Sequence, residues 1–266
     1  MHNQVVRKPH EVHFITIDPV VHAYFVEVAE PTLHESLGDL ERLQQTLETE
    51  WDLHDLLCES SVLRELQQAL ADGRRQVTIA VRNGQRIVAI WPGFKDRIYG
   101  IAFDVGSTTV AAHLCDLASG EVVASAGKMN PQIRYGEDLM SRVSYIMMNP
   151  GGEEKLIAAV RQAMNELIIE VSEQVEADTS DVVEVTVVGN PIMQHLVLGI
   201  SPVQLGTAPF ALATDSSVDV RAAEIGIEIN AGGYVYALPC IAAVSYTHLT
   251  LPTIQHWCSS RGAAEH

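Results

Sequence analysis

Residues 98–110 have the sequence Ile98-Tyr-Gly-Ile-Ala-Phe-Asp-Val-Gly-Ser-Thr-Thr-Val110. An apolar run typical of a buried strand ends at Asp104, and a second apolar run continues from Thr109 to Asp116. The segment between the two runs contains a glycine and hydroxyl residues: Gly106, Ser107, Thr108 and Thr109. The pattern predicts two adjacent strands joined by a tight polar turn.

This turn has the residue types that bind a phosphate group. Gly106 permits a close approach of the backbone to a ligand. Turn amides and the hydroxyls of Ser107, Thr108 and Thr109 can donate hydrogen bonds to phosphate oxygens. Asp104 is placed to hold a hydrated Mg²⁺, which prefers oxygen ligands and retains waters. The motif lacks the lysine of a P-loop, so we predict a phosphate-binding turn of another kind, with a plain polar hairpin as the alternative.

The chain after the turn predicts an α/β arrangement. A third strand starts at 121, two helices cover 137–148 and 153–176, a strand covers 181–188, and a short helix covers 191–198. The order β-β-β-α-α-β-α is a meander followed by a crossover onto the same sheet. Gly189 and Asn190 end the fourth strand, where ligands bind in open α/β sheets, so they are a second candidate site or else a sharp turn.

Residues 1–95 predict a separate small α+β unit. It has a strand at 22–28, a leucine-striped helix with Ser36 as its N-cap, and a second helix at 60–71. Asn83-Gly84 between two β-rich runs predicts a hairpin. Residues 96–243 form the second predicted unit. The pattern dissolves after 243, and we expect residues 244–266 to be a non-native tail.

Composition excludes several classes of function. The chain has 266 residues and a formal net charge of −17, which disfavours binding to nucleic acids and anionic membranes. No run approaches the roughly 18 apolar residues that a membrane span needs, and no signal peptide is visible, so a cytoplasmic location is expected. The four cysteines contain no CxxC pair, which leaves iron–sulfur and zinc sites without a local ligand set.

Four ordered motifs carry a more specific resemblance: residues 99–110, residues 130–142 with the sequence Asn-Pro-Gln-Ile-Arg-Tyr-Gly-Glu-Asp-Leu-Met-Ser-Arg, residues 188–196, and Leu238-Pro239. Together they resemble the corrinoid-activating proteins of the actin, sugar kinase and heat-shock chaperone (ASKHA) superfamily. The resemblance covers about residues 10–243. It implies that 1–95 is that family's middle domain and that 96–243 is the first half of an actin-like, ribonuclease H-like ATPase domain.

The resemblance also implies a function. Family members use ATP, Mg²⁺ and a [2Fe-2S] domain to return an inactive Co(II) corrinoid protein to Co(I). Asp104, Gly106, Ser107, Thr108 and Thr109 would be the first phosphate loop. The iron–sulfur domain and the second phosphate loop are missing here. We therefore expect a fragment that is inactive alone.

Two other functions remain open: a small-molecule kinase of the same superfamily, and a non-catalytic module in which residues 1–95 dock a protein partner. Some residues also have two interpretations. Asn130 to Gln132 and Tyr135 to Asp138 either line the cleft or cap helices. We expect Arg142 to pair with Glu137 or Asp138 on its own helix, and His195 to be a packed residue rather than a base.

Overall fold

The computed structural model describes residues 17–34 and 36–240. The predictions for residues 1–16 and for the 244–266 tail lie outside this range. The described chain contains two β-sheets with helices packed against them. Its helices and strands are β1 Val21–Glu27, α1 Asp39–Trp51, β2 Leu57–Cys58, α2 Ser60–Asp72, β3 Gln76–Arg82, β4 Arg86–Pro92, β5 Tyr99–Val105, β6 Thr109–Asp116, β7 Val122–Met129, α3 Leu139–Met148, α4 Gly152–Glu173, β8 Val182–Gly189, α5 Pro191–Leu198, β9 Val218–Arg221 and β10 Tyr234–Ala237.

The first sheet has the strand order β1-β3-β4-β2, and α1 and α2 pack on one of its faces. Asn83 and Gly84 have φ values of 53° and 64°, as a type I′ turn requires, and they join β3 to β4 as predicted. The Ser36 cap prediction was wrong. The chain stays extended through Gly38, whose carbonyl accepts the first helical hydrogen bond from the Arg42 amide at 3.1 Å.

The second sheet has the order β7-β6-β5-β8-β10-β9. β5, β6 and β7 form an antiparallel meander, and β8 returns by the α3–α4 crossover to lie parallel to β5. The predicted meander and crossover are confirmed. The β9–β10 pair, which extends the sheet beyond β8, was not predicted.

Helix α4 fixes which face of the second sheet is buried. Its predicted stripe of Leu156, Val160, Met164, Leu167 and Val171 is fully buried in one core with the strands. Side chains alternate between the two faces of a strand. Phe103 and Val105 therefore enter this core, while Asp104 between them lies on the opposite face, which is partly exposed.

The two sheets meet across a desolvated ion network. Arg82 of β3 is 5% exposed and donates to both carboxylate oxygens of Glu184 on β8, at 2.7 and 2.9 Å. Its Nη1 donates to Asp219 of β9 at 2.8 Å, and its Nη2, which is shared with Glu184, donates to Asp219 at 2.7 Å. The guanidinium also lies 4.5 Å from the centre of the Tyr234 ring on β10. One arginine of the first sheet therefore contacts three strands of the second.

A second buried carboxylate, Glu59, lies beside this network. It is 2% exposed and accepts from the Tyr234 hydroxyl at 2.6 Å and from Arg86 at 3.0 Å, with Arg221 at 3.3 Å. The backbones also approach closely here, since a Cβ built on Gly232 would lie 2.0 Å from the Val88 carbonyl oxygen. The two sheets are packed against each other through charged groups as well as apolar ones.

None of the helices in the described part of the chain is long and apolar enough to cross a membrane.

Candidate phosphate-binding site

The predicted turn lies at the end of β5. Asp104 pairs with Ala111 and Val105 with Val110 across the antiparallel strands β5 and β6. The Gly106 amide then donates to the Thr109 carbonyl at 2.9 Å, which closes the turn. A Cβ built on Gly106 would lie 2.7 Å from that carbonyl oxygen. A residue with a side chain therefore cannot occupy this position without moving the turn.

Three consecutive carbonyls of the turn point into the protein. The Gly106 carbonyl accepts from Asn130 Nδ2 at 2.8 Å, the Thr108 carbonyl accepts from the Asn130 amide at 2.7 Å, and the Ser107 carbonyl accepts from Arg142 Nη2. In a trans peptide the N–H points opposite to the C=O on the other side of the same bond. The amides of Ser107 and Thr108 are therefore directed outward, whereas the Thr109 amide, on the same side as the Thr109 carbonyl, faces Gly106 across the turn.

These outward groups fit a phosphate ligand. Within residues 17–34 and 36–240, the amides of Ser107 and Thr108 and the hydroxyls of Ser107, Thr108 and Thr109 make no hydrogen bond. Thr108 and Thr109 are exposed, and Ser107 is partly buried. Successive outward amides form a concave nest that binds anions. The turn thus has unused donors where the sequence predicted them.

Asn130 caps a 3₁₀ turn and also holds the backbone of the glycine turn. It is fully buried, and its side-chain oxygen accepts from the Gln132 amide at 3.0 Å, which caps the 3₁₀ turn Pro131–Tyr135. Its side-chain nitrogen holds the Gly106 carbonyl. Asp138, by contrast, only caps α3, and hydrogen bonds from Ser141 lower the pKa of its carboxyl group.

Arg142 lies in a different place from the one predicted. It is fully buried and donates to the carbonyls of Ser107 and Gly136 and to Gln132 Oε1, with Met193 Sδ 3.4 Å away. It makes no ion pair within 4.0 Å in the described part of the chain, so the pairing with Glu137 or Asp138 was wrong. Helical spacing suggested a surface pair, but the side chain turns inward toward the phosphate turn.

Gly189 and Asn190 lie beside the turn. Val105 and Gly189 are register partners on the parallel strands β5 and β8, and a Cβ built on Gly189 would lie 2.8 Å from the Val105 carbonyl oxygen. The Asn190 side chain accepts from the Met193 amide at 2.9 Å and caps α5. The structure therefore brings the two predicted motifs to one edge of the sheet, with the Asn190 side-chain oxygen engaged in the cap.

Asp104 is half-buried next to the turn and makes no hydrogen bond or ion pair in the described residues. Burial raises the pKa of its carboxyl group, and the nearby His113 partly opposes this rise. His113 is oriented by Ser125, whose hydroxyl lies 2.8 Å from Nδ1. An unpaired carboxylate at this position is available to bind waters of a hydrated Mg²⁺.

A [2Fe-2S] cluster does not fit the described residues. Cys58, Cys115 and Cys240 are not joined by disulfides, and the described residues contain no group of three or more side chains that could hold a metal ion. The cluster requires four ligands, usually cysteines.

His195 is packed, as expected. Its Nδ1 lies 2.6 Å from the Pro191 carbonyl oxygen and its Nε2 lies 3.2 Å from the Ala213 amide nitrogen. Since the carbonyl only accepts and the amide only donates, the neutral ring with its proton on Nδ1 satisfies both partners. Burial lowers the pKa of this imidazole, against the opposing effect of the Pro191 hydrogen bond.

We therefore predict a pH-dependent contribution of His195 to stability. The unfolded imidazole, with a pKa of about 6.5, binds a proton more readily than the folded one, so the free energy of unfolding falls as pH drops below about 6.5. Thermal unfolding of His195→Gln between pH 5 and 7.5 should show a shallower dependence than wild type. His54→Gln should have the opposite effect, because hydrogen bonds to Asp52 and Glu48 raise the pKa of His54. Equal slopes for His195→Gln and wild type would contradict the prediction.

Comparison with known proteins agrees with the arrangement of motifs. Residues 10–97 match the family model of the RACo linker region, and residues 99–246 match that of the RACo middle region. These models thus use "middle" for the second unit, whereas the sequence analysis applied it to residues 1–95.

Two relatives are similar over most of the chain. Corrinoid activation enzyme RamQ from Eubacterium limosum is 29% identical over 230 residues, which is 85% of this chain and 38% of RamQ. The solved structure of a reductive activator for corrinoid, iron-sulfur protein superposes with a TM-score of 0.75 at 33% identity, covering 87% of this chain and 37% of that one. The chain spans well under half the length of both relatives. With the RACo middle-region model covering more than half of it, the chain belongs to the RACo family.

Proposed function

We propose that this chain supplies the first phosphate-binding turn of an ATP-dependent reductive activator, which returns a Co(II) corrinoid protein to Co(I). The observation that supports this most is the outward-facing set of amides at Ser107 and Thr108, in a chain matched along its length by the RACo family. The two relatives are named for activation of corrinoid proteins. A corrinoid protein is therefore the proposed partner.

The proposed roles follow from the geometry of the turn. The amides of Ser107 and Thr108 and the hydroxyls of Ser107, Thr108 and Thr109 would bind phosphoryl oxygens. Asp104 would orient waters of the Mg²⁺ that accompanies the nucleotide. Gly106 allows the turn to close on Thr109, and Gly189 allows the end of β8 to pack against Val105, so that Asn190 starts α5 beside the turn. ATP, when bound, would supply the free energy that the reduction of the corrinoid requires.

We predict that Asp104→Asn has opposite effects on stability and on Mg-ATP binding. Because burial raises the pKa of Asp104, its charged form is disfavoured in the folded protein, and this cost grows as pH rises above the unfolded pKa of about 3.8. The amide should therefore raise the melting temperature slightly at pH 7. It should weaken Mg-ATP binding about 10–100-fold, as the loss of an outer-sphere metal partner does. Calorimetric titration and thermal unfolding measure the two effects.

A matched control is Asp96→Asn, at a carboxylate that is 80% exposed, which should change neither quantity. If Asp104→Asn binds Mg-ATP as tightly as wild type, the role of Asp104 is refuted. The assignment to a corrinoid activator is tested separately, by mixing the chain with a Co(II) corrinoid protein and following co-elution in gel filtration. ATP turnover stimulated by a sugar or by acetate, without such binding, would favour a small-molecule kinase instead.

A further inference from the structure

Arg142 is a buried cation that none of the proposed roles uses. Its guanidinium is fully buried on the first turn of α3 and donates to Ser107, Gly136 and Gln132 oxygens, which are all neutral acceptors. Among the described residues, Asp138 is the carboxylate whose charge acts to raise the pKa of Arg142. This carboxylate is itself engaged as the α3 cap. Burial lowers the pKa of Arg142 despite Asp138.

A buried charge without a bonded counterion is costly. Removing an ion from water costs several kcal/mol in real proteins, and neutral hydrogen-bond acceptors recover only part of this. Proteins tolerate such a group when a bound ligand completes the pair. The position of Arg142 indicates which class of ligand would balance its charge. Its guanidinium group donates to the Ser107 carbonyl of the candidate phosphate turn.

We propose that Arg142 is a positioning residue whose charge is balanced by the phosphoryl group bound at the Ser107–Thr109 turn. It acts in two ways without touching the ligand. Its hydrogen bond holds the Ser107 carbonyl inward, so the Thr108 amide of the same peptide points outward. Its positive charge lies behind the turn and attracts the phosphoryl group from there, unlike a P-loop lysine, which contacts the phosphates directly. This inference rests on the proposed function and adds a residue to its site.

The test separates charge from hydrogen bonding. Arg142→Lys keeps the charge and loses the fork, whereas Arg142→Gln keeps donors and loses the charge. With Mg-ATP and with pyrophosphate as probes, Arg142→Gln should raise Kd about tenfold or more, and Arg142→Lys should raise it about threefold or less. The same two substitutions at Arg161, a partly buried arginine that donates to the Val197 carbonyl, are the matched controls and should leave Kd unchanged.

A further variant leaves Arg142 in place. Gln132→Glu is nearly isosteric and puts a carboxylate oxygen where Oε1 lies, 3.2 Å from Arg142 Nη1. It also replaces Nε2, which donates to the Leu156 carbonyl at 2.8 Å, so Gln132→Met, which loses that hydrogen bond without adding a charge, is its control. Gln132→Glu supplies an internal counterion, so Kd for both probes should rise about tenfold while circular dichroism shows a folded protein. This measurement stands even if Arg142→Gln fails to fold.

The outcomes are distinguishable. Wild type without affinity for either probe overturns the proposed function at this turn. Wild-type binding with unchanged Kd in Arg142→Gln and Gln132→Glu overturns only the inference. Equal losses in Arg142→Lys and Arg142→Gln, with no loss in Gln132→Glu, reduce Arg142 to a structural hydrogen-bond donor and also overturn the charge balance.

Discussion

Replacing Arg82 by methionine is expected to lower the free energy of unfolding by about 3–5 kcal/mol. Arg82 is the cation shared by the buried Glu184 and by Asp219, with the Tyr234 ring packed against it. Without it, Glu184 remains buried with its main counter-charge gone. For a chain of this size we expect the melting temperature to fall by roughly 6–20 °C in thermal unfolding followed by circular dichroism.

Two comparisons show whether buried charge is the cause. Arg97→Met is the matched control. Arg97 pairs with Asp96 and Asp116 at 3.7 and 3.6 Å, but its side chain is 58% exposed. Its replacement should therefore lower the free energy of unfolding by less than about 1 kcal/mol. Adding Glu184→Met to Arg82→Met should recover much of the loss, because the buried carboxylate that loses its ion pair with Arg82 is then removed as well. A double variant as unstable as Arg82→Met alone would contradict this account.

Gly106→Ala is expected to weaken Mg-ATP binding more than about 100-fold. The added Cβ would lie 2.7 Å from the Thr109 carbonyl oxygen, a backbone atom that cannot move aside without opening the turn. Once the turn opens, the carbonyls of Gly106 and Ser107 lose their alignment with Asn130 and Arg142, and the outward amides lose theirs with the phosphate. Preorganised donors lose most of their effect when displaced by about 1 Å.

Gly127→Ala is the matched control on the neighbouring strand β7. Its Cβ would have no atom closer than 3.6 Å, an ordinary contact, so binding and stability should stay close to wild type. Calorimetric titration of both variants decides the matter. If Gly106→Ala and Gly127→Ala bind Mg-ATP equally well, the turn is not the phosphate site.

The local pattern of the sequence was sufficient to predict most elements. The Asn83-Gly84 hairpin, the α4 stripe and the strands on either side of the phosphate turn all carry short-range signals of periodicity or turn chemistry. The crossover order predicted that β8 returns to the same sheet, and the structure pairs it parallel to β5. Residues 104–109 and 189–190 were each predicted as candidate sites, and this pairing is what brings them together.

The features that were missed depend on long-range contacts. β9 and β10 have only 4 residues each and show too little periodicity to be recognised alone. Arg82 binds partners 102 and 137 positions away, and no local rule relates them. Arg142 appeared in a quoted motif, but helical spacing favoured a surface pair with Asp138. Only the packed structure shows that its donors point at the Ser107 carbonyl.

Strand β8 connects the ion network around Arg82 with the sheet edge that carries the candidate phosphate turn. Glu184, near the start of β8, forms an ion pair with Arg82. Gly189, at the end of β8, packs against Val105 next to the turn. If the first sheet rotates, Arg82 must either move Glu184 with it or leave the buried Glu184 carboxylate without this ion pair. A mechanical load applied to the first sheet would thus reach the residues of the proposed phosphate turn.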